Sequence, residues 1–140
     1  MSSNNRKLKI GFSPGVWDCL HIGHIRALKE ARSKCDYLMV GINGNPTKEN
    51  PNKNEPILNW EERMEMVREL KSVDSVILYS DDKVLYKLDE CSPYIHIRFM
   101  GEDHKGKKHH PIKAKIVYIS RKHDYSSTDF RKRIQNAKIS

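Results

Sequence analysis

Short apolar segments alternate with longer segments of helical periodicity along this chain, and this alternation constrains the fold more than any other feature. We predict strands over residues 8–13, 37–42, 75–78, 95–100 and 115–119, and helices over residues 22–33, 60–70, 82–90 and 128–137. Parallel neighbouring strands need a crossover, which is usually a helix, so the pattern is typical of βαβ units. The sequence therefore predicts an α/β fold: one domain over residues 1–140, with a five-stranded parallel sheet and helices on both faces.

Two predicted helices carry an apolar stripe that would be buried on the sheet. The stripes consist of Ile22, Ile25 and Leu28 in the first helix, and of Met64, Val67 and Leu70 in the second. Two helix starts carry capping signals: Asn59 is followed three residues later by Glu62, and Ser126 is followed by Asp129. These signals place helix N-termini after the second and the fifth strand.

The composition excludes several classes of protein. Hydrophobic residues make up 37% and charged residues 31% of the 140 residues, as in soluble globular domains. No apolar run approaches the ~20 residues that span a bilayer, and the polar start MSSNNRKLK lacks the apolar centre of a secretory signal. We therefore expect a cytoplasmic protein, with its 3 cysteines reduced. The net charge of +8 favours anionic partners: nucleic acid, acidic lipid or phosphorylated small molecules.

The stretch GVWDCLHIGH, residues 15–24, lies where the first predicted strand gives way to the first predicted helix. A helix N-terminus attracts phosphate through its unpaired N–H groups and its dipole. His21 and His24 are three residues apart, so they lie on one side of the first turn and can donate hydrogen bonds to the same anion. Gly23 between them leaves room for a phosphate oxygen. The stretch therefore indicates a site that stabilises negative charge.

Four segments in register resemble the signature motifs of the cytidylyltransferase family. GVWDCLHIGH resembles G-x-[FYW]-D-x-x-H-x-G-H, and WEERMEMVRELKSVDSVI resembles the arginine-bearing helix with the R-Y-V-D-E-V-I segment. MGEDHKGK resembles M-G-D-D-W-x-G-K, and ISRKHDYSSTDFRKRI resembles R-T-x-x-I-S-T-T with its closing helix. The resemblance spans residues 10–134 and points most closely to the short glycerol-3-phosphate cytidylyltransferases.

This resemblance implies a Rossmann-like nucleotidyltransferase that works as a homodimer. The expected reaction transfers CMP from CTP to a phosphorylated alcohol such as glycerol 3-phosphate and releases pyrophosphate, with Mg²⁺ accompanying the triphosphate. Such an enzyme holds two polyanions together and stabilises the charge that grows during in-line attack on the α-phosphorus.

The site residues follow from the same resemblance, and none of them is expected to bind a metal. The implied catalytic residues are His21, His24, Lys53 and Arg121, with Lys48 as a second candidate for the loop lysine. The implied nucleotide-binding residues are Gly15, Val16, Trp17, Gly23, Gly101, Asp103, Ser126, Ser127 and Thr128. The implied substrate-binding residues are Asp18, Arg63 and Lys71.

Several positions depart from the family pattern and leave the substrates open. Val16 stands where the glycerol-phosphate enzymes usually have Thr, and His104 stands where Trp is usual. Lys71 replaces an Arg and so lacks the bidentate fork that suits a phosphate. The acceptor could instead be an amino-alcohol phosphate, and related families with this core use ATP to adenylylate FMN, heptose phosphate or phosphopantetheine.

Other readings of the sequence remain as alternatives. A nucleotide-binding or nucleic-acid-binding module without catalysis is suggested by the net charge and by the basic run RKHDYSSTDFRKR, since Lys and Arg neutralise phosphates. An aminoacyl-tRNA synthetase fragment would share only the HIGH tetrapeptide and a basic segment that resembles KMSKS, and the chain is too short for the usual tRNA-binding parts. His104, His109 and His110 lack the Cys or carboxylate partners of a metal site.

Overall fold

The structure is a computed structural model, and it describes residues 7–46, 55–80, 95–102, 105–106, 113–120 and 127–137. Its strands are β1 Ile10–Gly15, β2 Tyr37–Asn43, β3 Ser75–Tyr79, β4 Ile97–Gly101 and β5 Lys115–Ile119. Its helices are α1 Ile22–Ser33, α2 Trp60–Arg68 and α3 Ser127–Gln135. Each of these elements was predicted from the sequence to within two residues at either end. The helix predicted over residues 82–90 lies outside the described residues.

The five strands form one parallel sheet in the order β3-β2-β1-β4-β5, which confirms the predicted fold class. β1 pairs with β2 along its whole length, from Ile10 opposite Tyr37 to Gly15 opposite Ile42. β4 pairs with the other side of β1. The strand order therefore reverses at β1, because β2 and β3 extend the sheet in one direction whereas β4 and β5 extend it in the other.

The main hydrophobic core lies between the sheet and the helices α1 and α2. Its buried members include Leu38, Val40 and Ile42 of β2, Leu28 and Ala31 of α1, and Met64 and Val67 of α2. Met39, which alternates with these β2 residues, packs instead against a second cluster around Phe12 and Tyr79. Since alternate side chains of a strand point to opposite faces, β2 is apolar on both of its faces, as expected for an interior strand of a parallel sheet.

The apolar stripe predicted for α1 was wrong in the first turn of the helix. Ile22 and Ile25 are 41% and 38% exposed, whereas Leu28 is buried. The buried residue of the first turn is Gly23, because this end of α1 presents its glycine and histidines to the edge of the sheet. The stripe of α2 is confirmed, since Met64 and Val67 are buried and Leu70 packs against the same core.

The helices α1 and α2 begin with well-formed caps. Asn59 caps α2 as predicted: its side chain accepts a hydrogen bond from the Glu62 N–H at 2.8 Å, and the Glu62 carboxylate accepts one from the Asn59 N–H at 3.0 Å. Ser126, the predicted cap of α3, lies outside the described residues. None of the helices in the described ranges is long and apolar enough to cross a membrane.

Candidate active site

The carboxyl ends of β1, β2 and β4 bring Gly15, Asn43 and Gly101 to one edge of the sheet. Residues 16–21 lead from this edge directly into α1. Open parallel sheets bind ligands outside the carboxyl ends of their strands, at the place where the strand order reverses. The topology therefore puts the histidine stretch at the position where a ligand is expected.

His21 and His24 form the N-terminal cap of α1 through their own side chains. The His21 Nδ1 accepts a hydrogen bond from the Gly23 N–H at 3.1 Å, and the His24 Nδ1 accepts one from the His21 N–H at 3.2 Å. The two rings stack with their centroids 3.8 Å apart. An Nδ1 that accepts a hydrogen bond carries no proton, so each neutral ring carries its proton on Nε2 and donates from there. Helix capping thus fixes the tautomer of both rings.

Both histidines are neutral at physiological pH. Burial lowers the pKa of His21 below its ordinary value. Burial, followed by the neighbouring His21, lowers the pKa of His24 to about 4, although Asp18 acts in the opposite direction. The pair therefore adds no positive charge of its own, and it can stabilise an anion through Nε2–H donation at the positive end of the α1 dipole.

The segment between β1 and α1 is held in an uncommon backbone conformation. Trp17 and Cys19 have φ values of +56° and +47°, a backbone region that residues other than glycine rarely adopt. The Trp17 Nε1 donates a hydrogen bond to the Gly41 carbonyl at 3.1 Å, and its ring meets the His24 ring edge-on at 5.5 Å. A Cβ added to Gly15 would lie 2.9 Å from the Trp17 Nε1, so this approach requires glycine. Trp17 therefore forms a wall beside the histidine pair.

Asp18 ties the histidine segment to the start of α2. Its Oδ2 accepts a hydrogen bond from the Ile57 N–H at 2.8 Å, and its Oδ1 accepts one from the Leu58 N–H at 2.9 Å. Its Oδ2 also lies 3.8 Å from the Arg131 Nη2 on α3. Asp18 thus contacts two other segments of the chain, and in the structure its carboxylate organises the site.

Arg63 holds the same segments together from α2. It is 2% exposed, and burial lowers the pKa of its guanidinium while the nearby Asp18 raises it. Its Nη1 donates hydrogen bonds to the carbonyl oxygens of Val16 and Asn43, at 2.9 and 2.7 Å. Its Nε donates to the Leu58 carbonyl at 3.1 Å. The predicted substrate-binding arginine therefore lies at the site with its donors directed to main-chain carbonyls.

The helix α3 begins with two predicted site residues, and it also brings Phe130 and Arg131 to the site, which were not predicted there. Ser127 and Thr128 begin α3. The Phe130 ring lies 5.6 Å from the His21 ring, so the first turn of α3 is adjacent to the histidine pair. Arg131 belongs to the basic run RKHDYSSTDFRKR, and the structure places it facing Asp18. The only local signal for Arg131 was its place one turn after the serine and threonine hydroxyls.

The structure does not bring every predicted residue to this edge. Lys71 lies in the turn between α2 and β3, at the amino end of the sheet, where the Asp74 N–H donates to the Leu38 carbonyl at 2.9 Å. Within one chain Lys71 is therefore at the opposite end of the sheet from His21. Four predicted site residues lie outside the described residues: Lys53, Asp103, Arg121 and Ser126.

The strand-order reversal, the capped histidine pair and the adjoining helix starts together define an open α/β domain with a candidate anion site at the carboxyl edge of its sheet. The comparison with protein families agrees. A family model described as cytidylyltransferase-like matches residues 12–133. The chain belongs to the cytidylyltransferase-like family.

The chain is similar to one part of each of several longer proteins. The bifunctional protein HldE of Rhodopseudomonas palustris strain BisB18 is 30% identical over 138 residues, which is 94% of this chain and 28% of the relative. The HldE of Hyphomonas neptunium is 38% identical over 92 residues, 65% of this chain and 19% of the relative. The chain therefore spans less than a third of these curated relatives.

Solved structures share the fold over most of the chain. A lipopolysaccharide core biosynthesis protein from Thermoplasma volcanium GSS1 is 30% identical with a TM-score of 0.66, covering 81% of this chain and 98% of that one. A protein described as a putative nicotinate-nucleotide adenylyltransferase from Vibrio parahaemolyticus is 18% identical with a TM-score of 0.61, covering 96% and 92% of the two chains. The second likeness concerns the fold alone.

Proposed function

We propose that this chain transfers a nucleotidyl group from a nucleoside triphosphate to a phosphate oxygen of a small phosphorylated acceptor. The acceptor oxygen forms a bond to the α-phosphorus, the bond between the α-phosphorus and its bridging oxygen breaks, and pyrophosphate leaves. The observation that carries the proposal is the pair of stacked, Nε2-protonated histidines at the N-terminus of α1. Hydrogen-bond donors fixed in this way stabilise charge that develops in a transition state without reorganising.

The roles of the other residues follow from their contacts. Arg63 binds the Val16 and Asn43 carbonyls at the ends of β1 and β2, and Asp18 holds the start of α2, so the donors keep their places as charge develops. Burial, followed by the neighbouring Asp18, raises the pKa of the Cys19 thiol, which keeps it protonated. A protonated thiol is a poor nucleophile, and this favours direct transfer without a covalent intermediate on this cysteine.

The proposed reaction uses a Mg²⁺ ion that arrives with the triphosphate. Both oxygens of Asp18 already accept main-chain hydrogen bonds. No group of three His, Cys, Asp or Glu side chains suited to a metal ion occurs within the described part of the chain. Mg²⁺ commonly keeps several waters and binds through substrate phosphates. When bound, it would neutralise phosphate charge.

The base and the acceptor form the finer part of the proposal. The resemblance in sequence supports CTP with glycerol 3-phosphate, whereas the HldE relatives and a neighbour named for lipopolysaccharide core biosynthesis support an adenylyltransferase acting on a sugar phosphate equally well. Several assignments stay predictions. They are the homodimer, the cytoplasmic location, and the roles of Lys53, Arg121, Asp103 and Ser126.

Pyrophosphate release with Mg²⁺ tests the proposal directly. Each of the four ribonucleoside triphosphates is combined with glycerol 3-phosphate, phosphocholine, phosphoethanolamine and a set of sugar 1-phosphates. We expect release with one triphosphate and one acceptor, and its loss in His24→Asn. Salt-sensitive binding to random oligonucleotides, with no release from any triphosphate, would instead support the non-catalytic module.

A further inference from the structure

A cavity lies at the amino end of the sheet, whereas the candidate active site lies at the carboxyl end. It has a volume of about 550 Å³ and is lined by Lys7, Leu8, Lys9, Lys34, His96, Ile97, Lys115 and Val117. These residues lead into β1, follow α1, or open β4 and β5. The length of the 6-residue strand β1, at ~3.3 Å a residue, separates this end of the sheet from Gly15. The cavity is therefore distinct from the histidine site.

The rim of this cavity is strongly cationic. Four of its lining residues are lysines, and none of the described residues that line it is acidic. Two described carboxylates offset part of this charge: Glu30 lies 3.5 Å from the Lys34 Nζ, and Asp36 accepts a hydrogen bond from the Lys9 main-chain N–H at 2.8 Å. These contacts leave the rim with an excess of positive charge.

His96 adds an oriented donor to this rim. Its Nδ1 accepts a hydrogen bond from the Ile10 N–H at 3.1 Å, so the neutral ring carries its proton on Nε2. The main chain of His96 is held as well, because its N–H donates to the Ile10 carbonyl at 2.9 Å and its carbonyl accepts from the Lys115 N–H at 3.0 Å. The imidazole therefore has a fixed place between β1 and β5.

The remaining lining residues are aliphatic. Leu8 is 67% exposed, and it lies with Ile97 and Val117 in the same cavity. An apolar surface beside a few polar groups, in a volume between about 300 and 1,000 Å³, is typical of small-molecule sites. We propose that this cavity binds a soluble organic phosphate with an aliphatic body, the phosphate held by the lysine rim and the hydrocarbon by Leu8, Ile97 and Val117.

The lining argues against nucleic acid as the occupant. Single strands bind to grooves in which aromatic side chains stack on the bases, whereas the only ring among these lining residues is that of His96. Aliphatic contacts next to a charged rim match a phosphate ester of an alcohol or acyl chain.

Calorimetric titration of the full chain with n-hexyl phosphate in ~0.15 M NaCl tests this proposal, since salt at this concentration screens non-specific attraction. The double variant Lys9→Gln, Lys115→Gln removes two rim charges. The matched control Lys29→Gln, Arg68→Gln removes two charges from exposed positions on α1 and α2. We expect the rim variant to weaken binding about tenfold and the control to leave it within about twofold. Methyl resonances of Leu8, Ile97 and Val117 should shift on binding.

Four outcomes would overturn the proposal. The first is equal weakening by both double variants, which would indicate net charge alone. The second is binding of inorganic phosphate as tight as that of hexyl phosphate, which would exclude a role for the aliphatic residues. The third is no binding at millimolar hexyl phosphate, and the fourth is binding only to phosphatidylglycerol vesicles, which would make the cavity part of a membrane-docking surface.

Discussion

The Arg63 guanidinium donates a hydrogen bond at 2.9 Å to the carbonyl oxygen of Val16, a residue 47 positions earlier in the chain. The same Nη1 reaches the Asn43 carbonyl at the end of β2. One buried side chain from α2 therefore connects the ends of two neighbouring strands at the candidate site. Arg63 therefore belongs to the residues that hold the site together, whereas other residues of the site can contact a ligand directly.

Substitution of Arg63 is expected to act mainly on stability. Arg63→Met leaves three main-chain carbonyls without their donor, and buried acceptors of this kind cost about 1–3 kcal/mol each when unpaired. We expect the free energy of unfolding of Arg63→Met in urea to fall by about 3 kcal/mol or more. The free energy of unfolding of Arg63→Lys should lie between those of Arg63→Met and the wild type. A direct substrate contact would give a different result, namely an unchanged unfolding curve for Arg63→Lys together with a raised KM for the acceptor.

Substitution of His24 separates its capping role from its proposed role toward phosphate. The Oδ1 of Asn occupies the place of Nδ1, so His24→Asn keeps the hydrogen bond from the His21 N–H but lacks the Nε2 donor. We expect kcat to fall about 10²–10³-fold with little change in melting temperature. His24→Ala also loses the cap, and its stability should fall by a further ~1 kcal/mol. Near-wild-type turnover in His24→Asn would remove the pair from the chemistry.

The pH dependence of stability follows from the lowered pKa of His24. The unfolded chain binds the proton near pH 6.5, whereas the folded chain binds it near the value of about 4. The free energy of unfolding is therefore unaffected by protonation of His24 above pH 6.5. It falls as the pH decreases from 6.5 through 4, by about 3 kcal/mol in total. Urea unfolding at pH 7 and pH 4.5 should show a larger loss for the wild type than for His24→Asn. Equal losses would show that His24 titrates normally.

Asp18 and Arg131 are expected to have unequal effects. Asp18→Asn leaves one acceptor for the two N–H groups of Ile57 and Leu58, so we expect a loss of about 1–2 kcal/mol in unfolding free energy. Arg131 is a partly exposed partner at 3.8 Å, and Arg131→Met should cost less than about 1 kcal/mol. A double-mutant cycle in urea measures their coupling. A coupling well above 1 kcal/mol would show that α3 depends on this ion pair.

Gly15→Ala tests the wall formed by Trp17. The added Cβ would lie 2.9 Å from the Trp17 Nε1, so the indole must move and its hydrogen bond to the Gly41 carbonyl must weaken. In a Trp60→Phe background only Trp17 emits, since the chain has 2 tryptophans. We expect a red-shifted and partly quenched emission together with a lower kcat. An unchanged spectrum would mean that the backbone absorbs the methyl group.

The local features of the fold were predictable because their signals are local. The Asn59 and Glu62 capping box and the placement of His21 and His24 at the start of α1 both depend on a three-residue spacing, which helix geometry converts directly into contact. Alternation of segments predicted the number of strands and their positions along the chain for the same reason. The α1 stripe failed at Ile22, because spacing identifies a face of a helix but not which turn of that face the sheet covers.

By itself the sequence determined the class of fold, the positions of its elements and the histidine pair. Only the tertiary structure decided the order of strands in the sheet, the carbonyls that Arg63 binds, the N–H groups that Asp18 accepts and the approach of Arg131 to the site. It also gathered the lysines of the opposite end into one cavity. The physical reason is that these partners lie far apart along the chain and meet through the packing of crossovers on the sheet, which no spacing between neighbouring residues encodes.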